Sequence, residues 1–177
     1  MKTFLSIGAG PGMGFATAER FAKEGFQVVL AARNAAKTQQ LADKLKSKGY
    51  TAEARTVDSG DPESVAKLVA EVEKQYGSID VLHYNAASVR QAALTEQPRD
   101  TFVKDLAVNI GGALVAAQSV AAKMEARRSG AILLTGGGWH SRLTRTICHS
   151  ASARQASVLW RSAYSRASAR RVFMSRR

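Results

Sequence analysis

The feature that most constrains this chain is a cluster of glycines close to its start. Gly8-Ala9-Gly10-Pro11-Gly12-Met13-Gly14 follows a short apolar run, Thr3–Ile7. It opens a stretch, residues 12–24, in which Phe15, Ala18, Phe21 and Ala22 recur at helical spacing before Gly25. Glycines between a strand and a helix permit backbone angles closed to other residues and let a phosphate group approach the main chain. The helix start adds free N–H donors and the positive end of the helix dipole. The turn therefore reads as a site for the pyrophosphate of a nucleotide, against the plainer reading of a tight turn with no ligand.

The rest of the first 138 residues repeats the same unit. Gln27–Ala32 is an apolar strand rich in β-branched residues, and Asn34 caps a helix reaching about Lys48, with Gly49 after it. Residues 51–57 form a third strand. Asp61-Pro62-Glu63 is a helix start, with Asp at the cap and Pro in the first turn, and Val65, Leu68, Val69 and Val72 face inward. A fourth strand spans 79–84, and a loop covers 85–97. A long helix from about 98 to 128 follows, then a fifth strand over 131–135 entering Gly136-Gly137-Gly138. Strand and helix in alternation predict an α/β fold, a Rossmann-like doubly wound parallel sheet covered on both faces, with right-handed crossovers.

The spacing of Gly8, Gly12 and Gly14, G-x-x-x-G-x-G, resembles the short-chain dehydrogenase/reductase family. The resemblance extends over residues 1 to about 138. It implies that Gly8, Gly10, Gly12, Met13 and Gly14 hold a nicotinamide dinucleotide. At the end of the second strand, where NAD-binding members carry an acid for the ribose 2′-hydroxyl, this chain has Ala31-Ala32-Arg33-Asn34. Arg33 could instead fork onto a 2′-phosphate, so NADP(H) is expected and NAD(H) less so. An exposed arginine at a helix start is the plainer alternative. Asp58 and Ser59 resemble the family's adenine contact, with a simple helix-entry turn as the alternative. Tyr84-Asn85-Ala86-Ala87 resembles the family's Asn-Asn-Ala-Gly with both ends changed, placing Asn85, Ala86 and Ala87 along the cofactor. Asn109 matches the asparagine of the fourth helix that helps to hold a catalytic lysine, and it is the one catalytic-site residue carried over.

The remainder of the family's catalytic set is missing from the expected positions. The serine after the fifth strand falls on Gly137. Lys123 is the last lysine in the chain, so no Tyr-x-x-x-Lys follows it, and Tyr164 is followed four places later by Ser168. The implied activity is hydride transfer between nicotinamide and the carbonyl or alcohol carbon of a small molecule, and the chain as it stands is expected to be inactive. A non-enzymatic NADP(H)-binding or sensing protein is the alternative.

Charge marks the same boundary. The net charge is +12. Residues 1–138 carry seventeen Lys and Arg against all fourteen acids, a net of +3, whereas 139–177 carry nine Arg and no acid. That segment also holds eight Ser and lacks Gly, Pro, Lys and Asn, and no helical or strand period persists in it. We read it as a separate Arg/Ser-rich tail, out of frame or disordered. A one-base slip in the glycine codons 136–138 accounts for it. Shifting the frame back gives, on one allowed choice of third bases, a loop and then an amphipathic helix bearing a lysine at the family's distance. The tyrosine position then reads leucine, so the parent would itself be atypical. On this reading the sheet is truncated after its fifth strand. Basicity confined to the tail gives no reason to expect a specific nucleic-acid partner. The single Cys148 and the short N-terminal apolar run suit a reducing cytoplasm, and no apolar run approaching a bilayer span is expected. A homo-oligomer is left open for the intact parent.

Overall fold

The strands predicted from local pattern assemble into one parallel sheet. The structure, a computed structural model, describes residues 1–89, 96 and 99–136. The strands are β1 (Thr3–Ile7), β2 (Gln27–Ala32), β3 (Ala52–Thr56), β4 (Val81–Tyr84) and β5 (Ala131–Leu134). Their order is β3-β2-β1-β4-β5 and every pairing is parallel. The chain leaves β1 towards β2 and β3, then crosses back to β4 and β5. The order reverses between β1 and β4, where a doubly wound sheet opens a crevice beyond its carboxyl ends.

Both faces are covered. Phe4, Val28 and Leu30 pack beneath α1 (Met13–Lys23) and α2 (Ala35–Lys46), through Phe15, Ala18, Ala22, Ala42 and Leu45. Leu5, Ile7, Val29 and Leu82 point the other way, onto α3 (Pro62–Tyr76) and α5 (Gly112–Ala126). Alternate residues of β1 are thus buried on opposite faces, which is why its five residues are all buried and the strand shows no polar alternation. The predicted caps form. Asn34 Oδ1 accepts from Lys37 N at 2.9 Å, and Asp61 Oδ1 accepts from Glu63 N at 3.0 Å with Pro62 in the first turn.

The long helix expected over 98–128 is not one regular helix. Residue 98, its expected start, lies outside the described residues. A 3-10 turn (Arg99–Thr101) leads into α4 (Phe102–Leu106), a π turn (Ala107–Gly111) and then α5. Helical periodicity cannot distinguish an i→i+4 from an i→i+5 ladder over one turn, and π turns concentrate at functional sites. The segment Phe102–Ala126 is also long and apolar enough, by length and composition, to cross a membrane, with mean hydropathy 1.3. The expectation that no such run exists therefore fails, because Leu106 to Ala122 carries no charge. In this fold the segment packs one side on the sheet through Ala113, Ala116, Ala117, Val120 and Met124.

Candidate functional site

The residues singled out in the sequence gather at the carboxyl edge of the sheet. Gly8 N and Ala9 N both donate to Ala31 O, at 2.8 and 3.1 Å. This ties the start of the glycine turn to the end of β2. On the other side, Asn85 N donates to Ile7 O at 2.8 Å and Asn85 Nδ2 donates to Gly8 O at 2.9 Å. Gly8 has φ +85°, and a Cβ there would lie 2.2 Å from Ala86 N. Glycine is required both by conformation and by contact with the Asn85–Ala86 backbone. Gly14 is buried, and a Cβ on it would stand 3.1 Å from Ala9 Cα, so its small size lets α1 seat closely on the turn.

Gly10 and Gly12 differ from these. A Cβ at either would meet no atom of the described residues within 4 Å. Among the described residues packing does not demand glycine there, and a Cβ at either position would enter open space. Gly12 sits at the N-cap of α1 without any side-chain cap, and Met13 beside it is exposed. An uncapped helix start beneath an open glycine turn fits a phosphate-bearing group.

Arg33 stands one residue beyond β2, exposed, and forms no hydrogen bond or ion pair with any of the described residues. Its strand end is the one that anchors Gly8, so Arg33 leaves the sheet at the same edge as the turn. Asp58 lies just past β3, exposed, where its Oδ1 accepts from Gly60 N at 2.9 Å and its backbone N donates to Ser64 Oγ at 3.1 Å. Ser59 is buried. Asp58 is thus both an exposed carboxylate at the edge and part of the turn into α3, and the two readings of it do not compete.

Asn109 lies in the π turn. Its Oδ1 accepts from Ser88 N at 2.8 Å and its Nδ2 donates to Ser88 O at 2.9 Å. Both ends of the amide therefore grip the backbone of the loop that begins with Asn85, Ala86 and Ala87. Ser88 Oγ in turn donates to Asp105 Oδ1 at 2.5 Å, a buried carboxylate in α4. Gly137, Tyr164 and the tail 139–177 lie outside the described residues.

Two features went unread in the sequence. Tyr84, at the end of β4, is buried, with its hydroxyl donating to Val108 O at 2.5 Å and lying 3.5 Å from Ser59 O. Burial pushes its phenol well above the ordinary range, with the Ser59 side chain opposing and the Asp58 charge reinforcing that. His83, its neighbour, points to the opposite face. Its Nδ1 lies 3.1 Å from Ser6 Oγ and its Nε2 3.0 Å from Thr135 Oγ1, so one imidazole bridges β1, β4 and the end of β5. Burial pulls its pKa from 6.5 down to about 4. An isolated His or Tyr in a strand gives no sign of such partners until register places Ser6 opposite His83. Among the described residues no group of His, Cys, Asp and Glu could hold a metal.

An open parallel sheet with a glycine turn at its reversal point defines a Rossmann-type nucleotide-binding fold. The chain belongs to the short-chain dehydrogenase family of oxidoreductases, whose pattern it matches over residues 2–165. That match runs past Gly138, further than the motif resemblance to about residue 138. The chain is 33% identical over 157 residues to an L-rhamnose 1-dehydrogenase (NAD(P)(+)) of Azotobacter vinelandii, covering 82% of this chain and 61% of that protein. It superposes with TM-score 0.86 on a gluconate 5-dehydrogenase of Burkholderia cenocepacia in complex with NADP and tartrate, at 28% identity, covering 96% of this chain and 66% of that one. It superposes with TM-score 0.89 on a 3-oxoacyl (acyl-carrier-protein) reductase of Agrobacterium tumefaciens with NADP bound, at 25% identity, covering 98% and 67%. The chain thus spans about three-fifths of the L-rhamnose dehydrogenase.

Proposed function

We propose that this chain binds a nicotinamide dinucleotide over the β1–β4 crevice, with NADP(H) preferred to NAD(H). The observation that carries the reading is Arg33, exposed and without a hydrogen bond or ion pair among the described residues, at the strand end that anchors the glycine turn. The turn from Gly8 to Gly14 and the uncapped start of α1 would hold the pyrophosphate. Arg33 would fork onto the 2′-phosphate, where an acid would have repelled it. Asp58 and Ser59 would meet the adenine end, and Asn85, Ala86 and Ala87 the nicotinamide end. The two structural relatives with bound NADP support the cofactor, and the L-rhamnose dehydrogenase, named for both, supports NAD(H) as a second ligand.

The bound dinucleotide would supply hydride chemistry towards a small carbonyl or alcohol. This chain's own residues bind and orient; the groups that would move the proton are missing from their places, with glycine at 137 and no lysine beyond Lys123. The chain is therefore a cofactor binder without turnover, which leaves a non-enzymatic NADP(H)-sensing role as the second reading. NADPH fluorescence on titration tests the binding, and NADPH consumption with a panel of ketones and aldehydes tests the inactivity. Saturable binding without protein-dependent consumption is expected; absence of binding, or steady consumption, overturns the respective part.

A further inference from the structure

The cofactor reading assigns its two ends to two separate turns, residues 58–60 and 85–88, which leave different strands. The structure joins them at a single side chain. Tyr84 Oη reaches Val108 O at 2.5 Å, and Val108 precedes Asn109, whose amide holds both backbone groups of Ser88. The same hydroxyl lies 3.5 Å from Ser59 O, in the other turn. Its single proton goes to the nearer carbonyl, and Ser59 is held by packing.

The packing leaves no slack. A Cβ on Gly112 would stand 2.1 Å from Ser59 O and 2.4 Å from Tyr84 Oη, and one on Gly60 would meet Val108 Cγ2 at 3.2 Å. Glycine at 112 lets the helix after the π turn come against both the phenol and the 58–60 turn. The knot thus unites the end of β4, the turn after β3 and the π turn. It lies on the α3 and α5 face of the sheet, where Tyr84 belongs to the buried cluster with Val65, Leu68, Ala113 and Ala116.

We infer that Tyr84 is a positioning residue that fixes the distance between the adenine-side turn and the nicotinamide-side loop. The inference rests on the cofactor reading given above. Two half-sites at a fixed span bind a linked ligand far more tightly than either half alone, because the second contact becomes intramolecular. If the span is loosened, the halves keep their own contacts and the linked ligand loses the advantage. A role in stability alone would not discriminate between whole and half ligands.

The test compares Tyr84→Phe with the unaltered chain, measuring Kd for NADPH, for 2′,5′-ADP and for nicotinamide mononucleotide. The variant keeps the ring and loses the hydroxyl. NADPH affinity is expected to fall about tenfold, of the order of a removed hydrogen bond, while each half-ligand stays within about twofold. Unchanged NADPH affinity, or an equal loss for all three, overturns the inference. Failure of the unaltered chain to bind NADPH or 2′,5′-ADP overturns the cofactor reading instead. A second measurement needs no variant: in the 15N spectrum of the unaltered chain, adding 2′,5′-ADP should shift the Asn109 side-chain amide through Tyr84. If binding shifts residues 58–60 and leaves Asn109 unmoved, the two turns are not joined and the inference is wrong.

Discussion

Protonation of His83 should weaken the fold over a defined pH range. In the folded chain both ring nitrogens face hydroxyls, Ser6 Oγ at 3.1 Å and Thr135 Oγ1 at 3.0 Å. Each hydroxyl can donate or accept, so either neutral tautomer is satisfied. What disfavours the imidazolium is burial, which lowers the pKa from 6.5 to about 4. The unfolded chain therefore binds a proton between pH 6.5 and about 4 that the folded chain does not. Stability is full above 6.5, declines as pH falls through that window and levels off below about 4. The size of the effect is about 3 kcal/mol, from roughly 1.4 kcal/mol per pH unit of difference. This is a large part of the stability of a domain this size. The assay is urea denaturation at several pH values between 7.5 and 4, for the unaltered chain and for His83→Val. Carboxylates contribute equally to both, so the difference isolates the imidazole. His83→Val will itself be destabilised at pH 7, by about 1–3 kcal/mol, because buried Ser6 loses its partner. The gap should close as pH falls towards 4. A gap that stays constant, or widens, refutes the argument.

Gly8→Ala should lose at least about 2 kcal/mol of stability, since it adds a left-handed strain to a collision with the Ala86 backbone; a thermal melt unchanged within error would contradict it. Asn109→Ala should cost about 1–3 kcal/mol and raise hydrogen exchange at the Ser88 amide, with protection elsewhere in the sheet retained; unchanged Ser88 exchange would show that the amide grip does not hold the loop. Sequencing of genomic DNA across the codons for residues 134–140 should recover one base in the glycine run and open a lysine-bearing frame; a confirmed frame would make the Arg-rich segment genuine.

Much of the architecture was legible because each element announces itself locally. The glycine turn, Asn34 and Asp61-Pro62 mark helix starts by chemistry that survives any tertiary context. β2, buried on both faces, reads as an unbroken apolar run over residues 28–31. The site was legible to the extent that it is backbone: Gly8, Asn85 and Asn109 serve through main-chain contacts that a motif records. Tyr84 and His83 were not, because their partners lie 24 to 77 residues away and are set by strand register and by a π turn that periodicity does not reveal. The family resemblance puts Asn109 near a catalytic lysine; among the described residues its amide is committed to Ser88.

The most direct test of the central claim is a parallel titration of the chain with NADPH and NADH, repeated on Arg33→Ala. The account predicts saturable NADPH binding tighter than NADH, and a loss of about ten- to a hundredfold in NADPH affinity alone on replacing Arg33, from a charge-assisted contact of about 1.5–3 kcal/mol. Equal affinity for the two cofactors, or an Arg33→Ala variant that binds NADPH as well as before, would contradict it.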